Sequence, residues 1–184
     1  MNHQYDRANV DFDQALLLRP GYLKAIDDRA PTRFIVGNYS GAVDDYLRIV
    51  DDRPKDANAA LWLHVAARRA NHPAHGALNA TVERYQFAHP PDSLLIGLFL
   101  GRESAERVLE LLGSPGLAGC GDCLATAYFF LGEHALINGD DQTAACLFKA
   151  AVDTDQRWNT EWHAARAELA RLGGGERAPD AAKP

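Results

Sequence analysis

The sequence predicts an all-α protein built from stacked pairs of antiparallel helices. Three observations lead to this prediction: apolar residues recur at helical spacing, no segment alternates apolar and polar residues as a strand would, and one side-chain pattern returns after 34 residues. The expected helices cover, in order, residues 5–18, 22–36, 40–51, 56–70, 78–88, 92–100, 103–112, 123–137, 141–153 and 158–171.

Composition narrows the classes of protein to consider. Apolar residues make up 47% of the 184 residues, which predicts a folded chain, and the net charge is -6. We expect no binding to nucleic acid, because phosphates repel an acidic surface. No apolar run approaches the roughly 20 residues that span a bilayer. Residues 1–14 have neither the basic nor the apolar region of a secretory signal. As written, the sequence predicts a cytoplasmic chain that does not insert directly into a membrane.

The repeated pattern first occurs in "ANVDFDQALLLRP", where Ala8, Phe12, Ala15 and Pro20 follow one another as A-x3-F-x2-A-x4-P. Thirty-four residues later the positions of Ala8, Phe12 and Pro20 hold a small residue, an aromatic residue and a proline again. A third copy lies four periods beyond the first. The second and third copies consist of Ala42, Tyr46 and Pro54, and of Ala144, Phe148 and Ala151.

Each residue type in this pattern has a physical role in helix packing or in the turns. Small residues let two helices approach closely, and an aromatic ring one turn later fills the space beside them. Gly37 and Gly139 fall in turns, where a left-handed backbone is often required. Pro20 and Pro54 end one helix and precede the next.

The pattern resembles the tetratricopeptide repeat, a helix-turn-helix unit of 34 residues. "YFFLGEHA" adds to the resemblance, because Tyr128, Leu131 and Gly132 match W-x2-L-G with tyrosine for tryptophan. The resemblance implies a tetratricopeptide-repeat α-solenoid, a superhelix of helix pairs. We expect one such domain over residues 1–172, with an irregular middle segment at 57–118, and a disordered tail over 173–184 that has no apolar face to bury.

The order of segments is also similar to the C-terminal portion of NlpI-type lipoproteins, over roughly residues 5–173. "LWL" after a proline turn, and "LFKAAV" near the end, carry this resemblance. It implies a non-enzymatic adaptor of the bacterial envelope that brings cell-wall hydrolases to a processing protease. It also implies a periplasmic, outer-membrane-associated location if the chain is a truncated member, although the signal peptide and lipid-bearing cysteine of that family are absent from this sequence.

In such superhelices the first helix of each pair lines a concave groove that binds a partner protein or peptide. We expect Trp62 to be an exposed anchor of this groove, or alternatively to pack against the helices that follow it. The acidic residues disfavour a clamp for a carboxylate and favour a basic or apolar partner segment. The candidate groove residues are Lys24, Asp27, Asp28, Phe34, Asn58, Leu61, Trp62, Val65, Arg69, Phe129, Phe130, Glu133 and Ile137.

The first helix of this chain is predicted to have an uncovered apolar face, because it corresponds to the second helix of a repeat. That face contains Val10, Leu16, Leu17 and Leu18. Two explanations remain open: the chain is the back half of a longer protein, or the face meets a second copy in a homodimer.

The sequence predicts that the protein is not an enzyme. "CGDC" places Cys120 and Cys123 before a helix, where a thiol pKa is lowered, so thiol or metal chemistry, a local disulfide and incidental thiols all stay open. His72 and His75 are expected in an exposed turn, and most of the adjacent aspartate pairs are expected to be solvated. We find no catalytic motif and expect neither a cofactor nor a bound metal. The function expected is a protein-binding adaptor; the alternatives are a cytoplasmic self-associating scaffold and a thiol or metal protein.

Overall fold

The computed structural model describes residues 2–73, 78, 92–114 and 119–174. Within these ranges the protein is all-helical, with nine α-helices and no strand. The prediction of an all-α fold is therefore confirmed. The chain divides into two compact units, one within residues 1–86 and the other within 87–177. Each unit is described separately below, and the prediction of a single domain over 1–172 stays a prediction.

The first unit contains four helices. They are α1 (Asn2–Leu18), α2 (Leu23–Ile35), α3 (Tyr39–Asp52) and α4 (Ala57–Arg69). Each helix packs against the next one in sequence, as expected for consecutive antiparallel helices joined by short turns. This arrangement is consistent with a solenoid of helix pairs.

The second unit contains five described helices. They are α5 (Asp92–Phe99), α6 (Ala105–Leu112), α7 (Gly121–Ile137), α8 (Asp141–Asp153) and α9 (Thr160–Gly174). The helices α7, α8 and α9 pack against one another, and the short pair α5 and α6 packs on α7. The helices predicted over 92–100 and 103–112 are both present.

Local sequence signals explain where several helices begin and end. The side chain of Asn38 accepts a hydrogen bond from the Gly41 amide at 2.9 Å, and Asp56 and Asp140 cap α4 and α8 in the same way. The turns after α2 and α7 contain Gly37 and Gly139 with φ of 86° and 83°, a conformation that favours glycine. Helices α1 and α3 end two residues before Pro20 and Pro54, as predicted.

Close helix contact occurs in both units. In the second, a methyl group added at Gly132 of α7 would lie 2.6 Å from Phe148 of α8, so the glycine makes room for the ring. In the first, the rings of Phe34 and Trp62 meet edge to face with centroids 5.0 Å apart, and Tyr46 stacks on Trp62 at 5.8 Å. The small and aromatic residues that define the repeat are therefore core residues at these contacts.

Predicted and observed helix bounds agree within a few residues, with two exceptions. The helix predicted over 78–88 lies outside the described residues, apart from Leu78, which is buried. The tail predicted over 173–184 is described only at Gly173 and Gly174, and both belong to α9. Disorder is therefore wrong for these two residues, because α9 continues through them; the rest of the tail lies outside the described residues. None of the described helices combines the length and apolar character needed to cross a membrane.

Candidate functional site

The candidate groove residues of the first unit are mostly interior. Phe34, Leu61, Trp62 and Val65 are buried, Asn58 is partly buried, and only Lys24 of the whole candidate set is exposed. The expectation that Trp62 is an exposed anchor is wrong, since only 2% of it is exposed. Its ring packs between Phe34 of α2 and Tyr46 of α3. Trp62 therefore holds helices together and leaves almost no surface for a partner.

The charged candidates in this unit already have partners within the chain. Arg53 donates a hydrogen bond to Asp27, and Lys24 forms an exposed ion pair with Asp28 one turn along α2. The hydrogen bond that Lys24 donates to Asp28 raises the pKa of Lys24. Because these pairs lie at or near the surface, a charged partner segment could compete with them at low cost.

Arg69 of α4 makes two contacts with Tyr39 of α3. Its guanidinium donates a hydrogen bond to the Tyr39 hydroxyl at 2.6 Å and lies 4.5 Å from the centre of the Tyr39 ring. The arginine therefore links α4 to α3 by both a hydrogen bond and a cation–π contact. This geometry gives it a structural role between the two helices.

The candidates of the second unit show the same tendency. Phe129, Phe130 and Glu133 are fully buried, and Ile137 is partly buried. The Phe129 ring lies 5.1 Å from Phe130 and 6.1 Å from Phe148 of α8. These aromatic side chains fill the space between helices, which leaves the groove prediction without the exposed rings that it requires on this unit.

Among the described residues, exposed large apolar side chains cluster on α1 and just after it; the others are Leu47, Leu109 and Trp158, which is 74% exposed. Val10, Leu17 and Leu18 are 58%, 74% and 89% exposed, and Tyr22 and Leu23 follow at the start of α2. We call Val10, Leu17 and Leu18 the apolar face of α1. Leu16 was predicted to belong to this uncovered face, but it is buried, with 8% exposure. That prediction is wrong because Leu16 points from α1 toward the interior of the unit.

Comparison with α3 shows how unusual this face is. Residues 34 positions after Val10, Leu17 and Leu18 are Asp44, Asp51 and Asp52, and all three are exposed. The same outward positions of the repeat are therefore acidic in α3 and apolar in α1. Burial in the core does not explain leucine at a solvated helix position. A patch of adjoining exposed apolar side chains marks a site of contact with another molecule.

A buried ion cluster links the first three helices, and the sequence analysis did not anticipate it. Asp45 of α3 is 1% exposed and accepts hydrogen bonds from Arg29 at 2.9 and 2.5 Å and from Arg33 at 3.0 Å. The same arginines reach Asp13 of α1 at 2.5 and 3.3 Å. Asp45 belongs to one of the adjacent aspartate pairs, most of which were expected to be solvated; it is buried instead, because α2 covers it.

Hydrogen bonds within the cluster compensate for the burial of its charges. Burial disfavours the charge of Arg29, but the hydrogen bonds that Arg29 donates to Asp45 and Asp13 outweigh that cost, so the pKa of Arg29 is raised. A charged pair removed from water is retained only when its hydrogen bonds are satisfied, and here the carboxylate takes a two-pronged contact from one guanidinium. The two arginines stand one turn apart on α2, which lets both reach the same carboxylate.

Cys120 and Cys123 form a disulfide at the start of α7. Of the alternatives left open by the sequence, the local disulfide is the one observed. The Cys120 sulfur also accepts the backbone N–H of Cys123 at 3.3 Å, so this residue caps the helix as well. Cys146 is a free, exposed thiol on α8. Among the described residues no group of three or more histidine, cysteine or acidic side chains could hold a metal ion; His75 lies outside them.

The pKa of His163 on α9 is lowered. Its burial is the main cause and outweighs the hydrogen bond between the ring and the Arg157 carbonyl at 2.7 Å. No protein-family model matches this chain.

Proposed function

We propose that this protein is a non-enzymatic adaptor that binds other proteins through helical surfaces. One observation carries the proposal: α1 presents Val10, Leu17 and Leu18 to solvent at positions where α3, its copy in the repeat, presents aspartates. Burial of exposed apolar side chains drives most protein association. The acidic residues around them, including Asp6 and Asp11, favour a partner with basic residues at the rim of the contact.

The resemblance to tetratricopeptide repeats and to NlpI-type lipoproteins agrees with this function. Under that resemblance the partners are a cell-wall hydrolase and a processing protease, and the protein acts at the bacterial envelope. The consecutive packing of α1 to α4 supports the repeat architecture that such adaptors use. The groove predicted from Trp62, Phe129 and Phe130 is not retained as the contact surface, because these rings are buried.

The alternative is a scaffold that associates with itself through the same apolar face. Sedimentation of the purified protein over a hundredfold concentration range separates the two functions. An adaptor stays at the monomer mass, whereas a scaffold shows a concentration-dependent dimer that disappears when the apolar face is made polar.

The adaptor function is tested by comparing what purified variants capture from extracts of the source cells. The triple variant Val10→Gln, Leu17→Gln, Leu18→Gln removes the apolar face, and Leu109→Gln on α6 is a matched control at another exposed leucine. Helicity by circular dichroism should be equal in all three proteins. We expect the triple variant to lose specific partners by tenfold or more and the control to keep them. Equal capture by all three would contradict the proposal.

A further inference from the structure

The two helices α1 and α3 are copies of each other beyond the residues that define the repeat. Six positions keep their residue type after a shift of 34 residues. The pairs are Tyr5 and Tyr39, Ala8 and Ala42, Asp11 and Asp45, Phe12 and Tyr46, Arg19 and Arg53, and Pro20 and Pro54. Among them, Asp11 is the counterpart of the aspartate that α3 uses in the buried ion cluster.

The two copies differ in what covers them. On α3, Tyr39, Ala42 and Asp45 are almost completely buried, and the arginines of α2 bind Asp45. On α1, Asp11 is exposed, and Ala8 and Phe12 are only partly buried. The arginines of α2 thus cover the part of α3 around Asp45, whereas the corresponding part of α1 around Asp11 is open.

This open surface is separate from the one that α1 uses to pack on α2. Asn9 and Asp13 face α2, where they contact Thr32 and Arg29 at 2.6 and 2.5 Å. At about 100° per residue, Ala8, Asp11, Phe12 and Ala15 share one side of the helix, whereas Val10 and Leu17 lie roughly opposite Ala8. We call Ala8, Asp11, Phe12 and Ala15 the stacking face of α1.

We propose that the stacking face binds an amphipathic helix of another protein, which carries two arginines one turn apart. This helix takes the position on α1 that α2 takes on α3. The arginines bind Asp11 as Arg29 and Arg33 bind Asp45, with the two-pronged geometry that guanidinium and carboxylate groups favour. The small side chains of Ala8 and Ala15 let the partner backbone approach closely. The inference rests on the proposed function and names the chemistry of a partner.

A second copy of α1 fits this face less well. The helix carries Asp6, Asp11 and Asp13 but only one arginine, Arg7, so pairing α1 with itself brings acidic residues together. An arginine-bearing helix neutralises Asp11 instead. Charge therefore favours an arginine-bearing helix over a second copy of α1 as the occupant.

The first experiment places such a helix on α1 within the full chain. Residues 1–4 are replaced by methionine followed by a copy of residues 22–38, so that the added arginines precede Asp11 by the distances that separate Arg29 and Arg33 from Asp45. We expect the melting temperature to rise by about 4 °C or more. The rise should vanish when both added arginines are alanine, and also with Asp11→Asn.

Two controls make this result specific. Asp6→Asn removes an equal charge from an exposed position off the stacking face and should keep the rise. Asp11→Asn in the chain without the added helix should change the melting temperature by less than about 1 °C, as is usual for exposed positions. A rise that survives loss of the arginines or of Asp11, or no rise at all, overturns the inference.

The second experiment tests binding between separate molecules. A hydrocarbon-stapled peptide with the sequence of residues 22–36 is titrated into the full chain. We expect saturable binding that weakens at least tenfold with Asp11→Asn and with alanine at both peptide arginines. Absence of binding at 1 mM peptide, or a native-chain dimer that the added helix abolishes, overturns the assignment of a partner protein. Neither experiment depends on the apolar face, so failure here is distinguishable from failure of the capture experiment.

Discussion

The side chains that define the repeat act through close contact between helices. Gly132 of α7 and Phe148 of α8 show this most clearly, because the ring occupies the space that a side chain at position 132 would need. Phe148 is fully buried, and close packing in a protein core leaves a ring little room to move. The two helices therefore fit together only because position 132 has no side chain larger than a hydrogen atom.

We expect Gly132→Ala to destabilise the protein by about 1–3 kcal/mol, because overpacking forces the Phe148 ring or the helix to shift. Urea unfolding followed by circular dichroism measures the change. Gly173→Ala is the matched control: it lies in helix α9 with open space around it, and alanine there should be neutral or slightly stabilising. A Gly132→Ala protein as stable as the control would show that the contact is looser than described.

Side-chain burial is also where sequence reasoning reached its limit. Periodicity places Leu61, Trp62 and Val65 on related faces of α4, but it does not say which neighbouring helix covers them. The run Ala59–Ala67 is buried at every position, so α4 is a core helix rather than an amphipathic one. Its sequence "AALWLHVAA" is apolar on all sides, and that signal favours burial over an exposed groove. Asp45 was missed for a related reason, since its arginine partners lie on another helix.

At the scale of the helix, local signals were sufficient to predict most of the structure. Capping residues, glycine turns and prolines act within a few residues of the chain, and the observed bounds of α1 to α4 follow them closely. The disulfide at the start of α7 could not be chosen from sequence alone, because two cysteines three residues apart also suit free thiols or a metal.

Reduction of the Cys120–Cys123 bond should lower the free energy of unfolding by about 2 kcal/mol, the value that chain entropy gives for a loop this short. Unfolding in urea with and without dithiothreitol measures the difference. Cys123→Ser should behave like the reduced protein, because the bridge is absent while Cys120 remains to cap α7. Cys146→Ser should leave the effect of the reductant unchanged. If reductant has no effect on any of them, the bond contributes nothing to stability.

At the scale of the molecule, both units bury aromatic side chains in their cores, and both expose some large apolar side chains, among them Leu109 and Trp158 in the second unit. In the described part of the first unit, helix α1 has both an exposed apolar face and an open stacking face. Helix α1 is the counterpart of α3 in the repeated pattern, but no described helix covers Asp11 of α1 as α2 covers Asp45 of α3. The central claim is that Val10, Leu17 and Leu18 contact other proteins and do not stabilise the fold. Their exposure indicates that the core does not use them.

Urea unfolding of the triple variant Val10→Gln, Leu17→Gln, Leu18→Gln tests this claim most directly. We expect each substitution to change the free energy of unfolding by no more than about 0.5 kcal/mol, because exposed side chains outside the core contribute little to stability. A loss of several kcal/mol would show that these residues are part of the folded core and would overturn their proposed role in binding.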